Sequence, residues 1–182
     1  MLDIFFVTGN QHKFQEASHI LSGLNLKNTE VDIIEIQGEI KDIAINKVKE
    51  AFKVIKKPCF IEDTSLCFDA WGNLPGPYIK PFLHEIGSKG LAKALMSFSK
   101  KGARAICTVA YLDRNLKEPK IFQGIVKGKI TAPKGKSGFE WDQIFIPTGY
   151  KKTFAELGME VKNKISHRKK ALTLLNSYLI SR

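Results

Sequence analysis

Two adjacent carboxylates, Glu62 and Asp63, end the short apolar run Cys59-Phe60-Ile61, with Thr64-Ser65 directly behind them. Carboxylate oxygens at a strand end hold a hard cation such as Mg²⁺ or accept a proton from water. Successive side chains on a strand point to opposite faces, so one of the pair can serve chemistry while the other serves structure. The same four residues also suit a plain turn, in which Asp, Thr and Ser bond the local backbone. Glu35, in Ile34-Glu35-Ile36-Gln37-Gly38-Glu39, is a further carboxylate. At the end of a neighbouring strand it would complete, with Asp63, the pair that a phosphate-bridging cation needs; as a solvent-facing residue of an alternating strand it would do nothing.

The second constellation lies at the start of the chain, where Ile4-Phe5-Phe6-Val7 runs into Thr8-Gly9-Asn10-Gln11-His12-Lys13. A strand, a polar turn and a helix start in that order gather backbone N–H groups and the positive end of a helix. Gly9 permits close approach of an anion, and Lys13 adds a full charge on a flexible stem. The G-x-x-x-x-G-K-[ST] spacing of a Walker A loop is absent, and an ordinary strand–helix connection has the same outline.

Three further groups have chemistry-bearing composition. Phe139 and Trp141 flank Glu140 after Ser137-Gly138 and precede Asp142, which suits either a base-stacking pocket with a polar end or a pair of core aromatics. Ser166-His167-Arg168 opens the last helix with an N-cap serine and two basic side chains, although cations in a first turn oppose the helix dipole. Lys162 precedes that turn. Lys47, within a helix, and Lys80, after a Gly/Pro-rich turn, read singly as surface lysines.

The elements that must carry these groups follow from periodicity. Strands are expected over 2–8, 31–36, 59–61, 103–112 and 121–130, the last two as a hairpin. Helices are expected over 12–21, over 43–56 where Pro58 stops the chain, near 81–85 and 91–98, and after Ser166. Strands alternating with helices early and a β-ribbon later indicate α/β with a mixed sheet in a single domain, 1–182.

Bulk properties narrow the function classes. The 182 residues carry a formal charge of +11, which invites a polyanion, yet the lysines are scattered and Arg104, Arg114, Arg168 and Arg182 are the arginines. That distribution fits a solvated surface better than a nucleic-acid footprint. No apolar run approaches the roughly 20 residues of a bilayer span, and no basic, apolar leader is evident, so a cytoplasmic protein is expected. Cys59, Cys67 and Cys107 are odd in number and lack C-x-x-C spacing, which argues against a disulfide framework or zinc site and makes Cys59 and Cys107 expected core residues.

Taken together and in order, Thr8-Gly9-Asn10-x-x-Lys13, Glu62-Asp63-Thr64-Ser65-Leu66 with Leu74-Pro75-Gly76-Pro77-Tyr78, Phe139-x-Trp141-Asp142, and Ser166-His167-Arg168 resemble the inosine triphosphate pyrophosphatase family, and its eukaryotic branch more than its bacterial one. The resemblance spans nearly the whole chain. It implies an elongated, twisted mixed sheet flanked by helices, with two lobes and a central cleft. It also implies a homodimer, Mg²⁺ (with Mn²⁺ as a substitute), and hydrolysis of ITP, dITP or XTP to the monophosphate and pyrophosphate. By the same resemblance, Thr8, Gly9, Asn10 and Lys13 belong to the triphosphate site. Glu35 and Asp63 bind metal, and Asp63 and Lys13 are catalytic. Thr64, Lys47 and Lys80 touch the substrate. Phe139, Trp141, Asp142, Lys162, His167 and Arg168 form the nucleoside pocket, with Arg168 donating to the 6-keto oxygen of the base. Glu140 departs from the glycine common in the family, and Lys164 replaces a smaller residue. The alternatives are a pyrophosphatase for modified pyrimidine nucleotides on the same fold, or a basic nucleic-acid-binding protein.

Overall fold

The computed structural model describes residues 3–136 and 141–181. Its elements run β1 (Asp3–Val7), α1 (Gln11–Ile20), β2 (Asn25–Thr29), α2 (Ile40–Ile55), β3 (Cys59–Phe68), β4 (Pro75–Gly76), α3 (Ile79–Leu95), β5 (Gly102–Leu112), β6 (Lys120–Ile130), β7 (Phe145–Pro147), α4 (Phe154–Ile165) and α5 (His167–Ile180). The strands form one mixed sheet in the order β2-β1-β3-β5-β6-β7, with β4 on β3. β1 is parallel to both β2 and β3, while β4 and β7 pair antiparallel with β3 and β6.

The chain forms two compact units. The first comprises residues 1–63, 107–124 and 168–182, and the second comprises 64–106 and 125–167. Period-two alternation builds the first unit. Ile4 and Phe6 of β1, Phe60 of β3, and Cys107, Val109 and Tyr111 of β5 join Ala17 and Leu21 beside α1 and Ala171, Leu172 and Leu175 of α5. The intervening positions, Val7, Cys59, Ile61, Ala110 and Leu112, pack on Ala44, Val48 and Ala51 of α2. One face of these strands is therefore covered by α1 and α5 and the other by α2. The rings of Phe6 and Phe60 stack at 4.5 Å and 13°.

The second unit has its own core, in which Leu66 and Phe68 of β3 meet Leu91 and Leu95 of α3, Val126 and Ile130 of β6, and Trp141, Phe145 and Phe154. All three cysteines are buried. Among the described residues no helix is long and apolar enough to cross a membrane.

Three sequence expectations are corrected. Residues 31–36 are not a strand; the edge of β1 is taken by Asn25–Thr29, in register from Asp3↔Asn25 to Val7↔Thr29. Only Val31 and Ile33 of the alternating run reach the core, and Ile34 is 90 % exposed. The strand after Pro58 does not stop at Ile61 but continues through Glu62–Ser65 to Phe68. The two helical stretches expected near 81–85 and 91–98 are present as the two arms of α3, Ile79–Leu95, on either side of a kink at Gly87, whose φ of 63° an L side chain rarely adopts. Helix α4 was not expected; Thr153-x-x-Glu156 marks its start with a reciprocal capping box.

Candidate active site

Because β3 runs unbroken through Glu62 and Asp63, the two carboxylates lie on opposite faces of the strand. Each meets a basic side chain from the helices on its own side.

On the α1/α5 side, the Glu62 side chain is fully buried and grips Arg168 in a fork, with Nε donating to Oε2 at 2.5 Å and Nη2 to Oε1 at 3.2 Å. The Arg168 Nη1 donates to a second buried carboxylate, Glu16 of α1. Lys13, one helical turn before Glu16, brings Nζ to 3.3 Å from Glu62 Oε1 and donates to the Glu62 carbonyl at 3.4 Å. Burial opposes the Lys13 charge, but the Glu62 and Asp63 carboxylates outweigh burial and the repulsion of Arg168, so its pKa is raised. Arg168 follows the same logic: desolvation disfavours its charge, Glu62 and Glu16 restore it, and the net direction is up. These acids also answer the unfavourable placement of a cation in the first turn of α5.

On the α2 side, Lys47 Nζ lies 2.6 Å from Glu35 Oε1 and 3.8 Å from Asp63 Oδ2. The Glu35 side chain is 65 % exposed and comes from the coil ahead of α2, not from a strand end as expected. Two partly accessible carboxylates facing one cationic group are a donor set that suits a hard cation, and among the described residues no group of three or more acidic, His or Cys side chains forms a closed metal cage. A pair is what Mg²⁺ needs when phosphate oxygens and water complete its shell.

The Thr8–Lys13 turn is built by its own side chains. Thr8 Oγ1 accepts from the Asn10 N–H at 3.1 Å, and Asn10 caps α1 by accepting from the Lys13 N–H at 3.1 Å. Gly9 has no positive φ among the glycines that do, and the Glu30 carboxylate lies where its Cβ would stand.

The second unit holds the other expected residues. Trp141 is a core residue, 3 % exposed, with its ring 5.5 Å from Phe145 in a T-shaped contact and 5.3 Å from the buried His167 ring. Its indole Nε1 is buried with no hydrogen-bond partner among the described residues. Lys162 is equally interior; its Nζ donates to Asp142 Oδ2 at 2.6 Å and lies 5.9 Å from the Phe154 ring centre. These two residues, expected to line a nucleoside pocket, have their functional groups turned into the interior here. Thr64 is buried on β3, and Lys80 is exposed in the first turn of α3. Phe139, with Glu140, lies outside the described residues.

Sequence reasoning missed Glu62 and Glu16 as partners of Lys13 and Arg168. Both partnerships are long-range, Glu62 with Lys13 and Glu16 with Arg168, so no local spacing signalled them.

The model of the Ham1 family matches residues 4–178. This chain belongs to the Ham1 family. The Ham1 chain is 44 % identical to the inosine triphosphate pyrophosphatase of Candida albicans (strain WO-1), with all of both chains covered. Its fold is similar to that of a HAM1 protein from Coxiella burnetii, at a TM-score of 0.90, 29 % identity and complete coverage of both chains. It is also similar to the nucleoside-triphosphatase / dITP/XTP pyrophosphatase from Mycobacterium abscessus, at a TM-score of 0.77 and 29 % identity over 96 % of this chain and 98 % of that one. The Ham1 chain is thus aligned with these relatives over nearly its full length.

Proposed function

We propose that this Ham1 chain hydrolyses non-canonical purine nucleoside triphosphates, ITP, dITP and XTP, to the monophosphate and pyrophosphate. The observation that carries the reading is the sorting of Glu62 and Asp63 to opposite faces of β3: one carboxylate fixes the buried basic cluster, and the other stands with Glu35 and Lys47 where solvent can reach. The names of the fungal relative and of the M. abscessus enzyme support the substrate class.

In this reading Glu35 and Asp63 would hold Mg²⁺, with Mn²⁺ as a substitute. When bound, such an ion neutralises charge on the phosphates and on the departing pyrophosphate. Asp63 orients the attacking water and accepts its proton. The water oxygen bonds to the α-phosphorus, the bond from that phosphorus to the α–β bridging oxygen breaks, and pyrophosphate leaves with the electron pair. Lys13 and Lys47, with Lys80, balance the outer phosphate oxygens, and the first turn of α1 beside Thr8 and Asn10 adds its dipole. Lys13 is held for this task by Glu62, and Glu62 is held by Arg168. Nucleoside contacts are assigned to His167 and Arg168, with Phe139, Trp141, Asp142 and Lys162; Trp141 backs the His167 ring. A guanidinium has five N–H donors, so after its contacts to Glu16 and Glu62 Arg168 retains donors for a 6-keto oxygen, which adenine lacks.

The test is pyrophosphate release from ITP, XTP, dITP, GTP and ATP, side by side, with and without Mg²⁺. Fast Mg²⁺-dependent release from the first three and slow release from GTP and ATP is the expected pattern. Equal rates for all five, or no release, overturns the substrate assignment.

A further inference from the structure

Lys47 occupies a position that is unusual for a lysine assigned to phosphate. Its ammonium lies against both carboxylates assigned to the metal, 2.6 Å from Glu35 Oε1 and 3.8 Å from Asp63 Oδ2. Those carboxylates come from different stretches of chain, Glu35 from the coil before α2 and Asp63 from β3, and Lys47 lies on α2. A monovalent cation thus already bridges them. The arrangement is lopsided in exposure: the Lys47 side chain is 16 % exposed and Asp63 21 %, while Glu35 is 65 % exposed. The covered partner is the lysine, and the carboxylate that would close over an ion is the one facing solvent.

Resting on the metal assignment made above, we infer that Lys47 is a built-in stand-in for the divalent ion, keeping Glu35 beside Asp63 in the nucleotide-free protein and competing with metal for the same oxygens. A divalent ion about 2 Å from a carboxylate oxygen and an ammonium within hydrogen-bonding distance of that oxygen repel strongly, so the two cations exclude one another there. Metal alone must displace the ammonium into a site that offers it nothing in return. A triphosphate changes this balance, because its oxygens give the displaced ammonium a new anionic partner. Metal and nucleotide consequently bind with positive coupling, and each raises the affinity of the other by the same factor. The device keeps the acidic pair assembled without metal and discourages idle metal binding.

The test is Mn²⁺ binding to the purified protein, read as the Mn²⁺ retained with the protein on a membrane that passes both free Mn²⁺ and its nucleotide complex, with and without an α,β-methylene inosine triphosphate that cannot be cleaved. Wild type, Lys47→Met and Lys47→Arg are compared; methionine keeps the helix-compatible stem and removes the charge. The stand-in predicts that without nucleotide Lys47→Met binds Mn²⁺ about tenfold more tightly than wild type, that Lys47→Arg stays weak, and that the nucleotide tightens Mn²⁺ binding less in Lys47→Met than in wild type. Equal or weaker Mn²⁺ binding by Lys47→Met, with wild type still binding Mn²⁺ in the presence of nucleotide, overturns the stand-in and leaves the metal assignment standing. Absence of Mn²⁺ binding to wild type with nucleotide present overturns both. If Lys47→Met fails to fold, the Lys47→Gln variant, judged by the same two titrations after its helical circular dichroism is matched to wild type, decides the question.

Discussion

Arg168 and Glu62 are joined by two near-parallel hydrogen bonds, Nε to Oε2 at 2.5 Å and Nη2 to Oε1 at 3.2 Å, although 106 residues separate them in the chain. Both side chains are buried, and Glu16 and Lys13 complete the cluster. The arrangement ties the start of α5 to the middle of β3 and to the first turns of α1, so a single charged group sets the relative position of three elements in the first unit.

Removing that group strands two buried carboxylates. Arg168→Ala is expected to lose about 3–5 kcal/mol of stability, read from urea denaturation at neutral pH. Arg168→Lys keeps the charge but not the fork, and should recover only part of the loss. Where the lysine variant folds, its ITP-to-ATP rate ratio tests the contact with the 6-keto oxygen; a ratio equal to wild type removes that role from Arg168.

Asp63 and its neighbour Glu62 should respond to amide substitution in opposite ways. Asp63→Asn, at a partly exposed position, should lower pyrophosphate release by at least about a hundredfold with little change in melting temperature. Glu62→Gln should chiefly destabilise the protein, because Lys13 and Arg168 lose their shared counter-charge. Substantial turnover by Asp63→Asn contradicts its assignment as proton acceptor.

The interior pair Asp142–Lys162 offers a double-mutant cycle. Asp142→Ala or Lys162→Met alone leaves an uncompensated buried charge and is expected to cost about 3–5 kcal/mol. The double variant should be less destabilised than the sum of the two, by at least about 1 kcal/mol. Strict additivity in chemical denaturation would show that the pair does not act as a unit.

The thiols predict a pH dependence. Burial pushes Cys59 from an ordinary 9.0 up to about 12. Burial, with Glu62 nearby, also raises Cys107 well above the ordinary 9.0. The folded state therefore holds these protons when the unfolded chain has released them, and stability falls as pH rises above about 9. Ellman's reagent at pH 8 should find the thiols of Cys59 and Cys107 unreactive in the native protein and reactive in denaturant. Rapid native reaction of either would contradict its burial.

At the start of α4, Thr153→Ala should cost about 1 kcal/mol in thermal or urea unfolding. The backbone hydrogen bond from Thr153 holds the Glu156 carboxyl below its usual range. Its share of the cap is present above about pH 4.5 and lost as pH falls through the lowered folded value; Thr153→Ala keeps that backbone donor, so it is the Glu156→Ala penalty that should shrink in acid.

Much of the fold was legible because alternation and helical spacing are local. Ile4–Val7, the α2 face through Ala44, Val48 and Ala51, and the 103–112 and 121–130 strands all read correctly from period alone. The run 31–36 misled because alternation states what a strand would bury, not which sheet edge remains for it, and Asn25–Thr29 takes that edge with fewer apolar residues. For Trp141 the residue type left a base platform and a core aromatic both open, and its place among Phe145, Phe154 and His167 makes it core.

The sequence by itself determined the family, the mixed α/β class and the residue types at the site, because motifs and periodicity reside in neighbouring positions. Even the opposite facing of Glu62 and Asp63 was contained in their adjacency on a strand. What only the tertiary structure decided is which cation meets which carboxylate. Lys13 and Arg168 go to Glu62, and Lys47 goes to Glu35 and Asp63, because α1 and α5 cover one face of β3 and α2 covers the other. Charge pairing depends on separations of a few ångströms between residues far apart in the chain, and no local pattern encodes those.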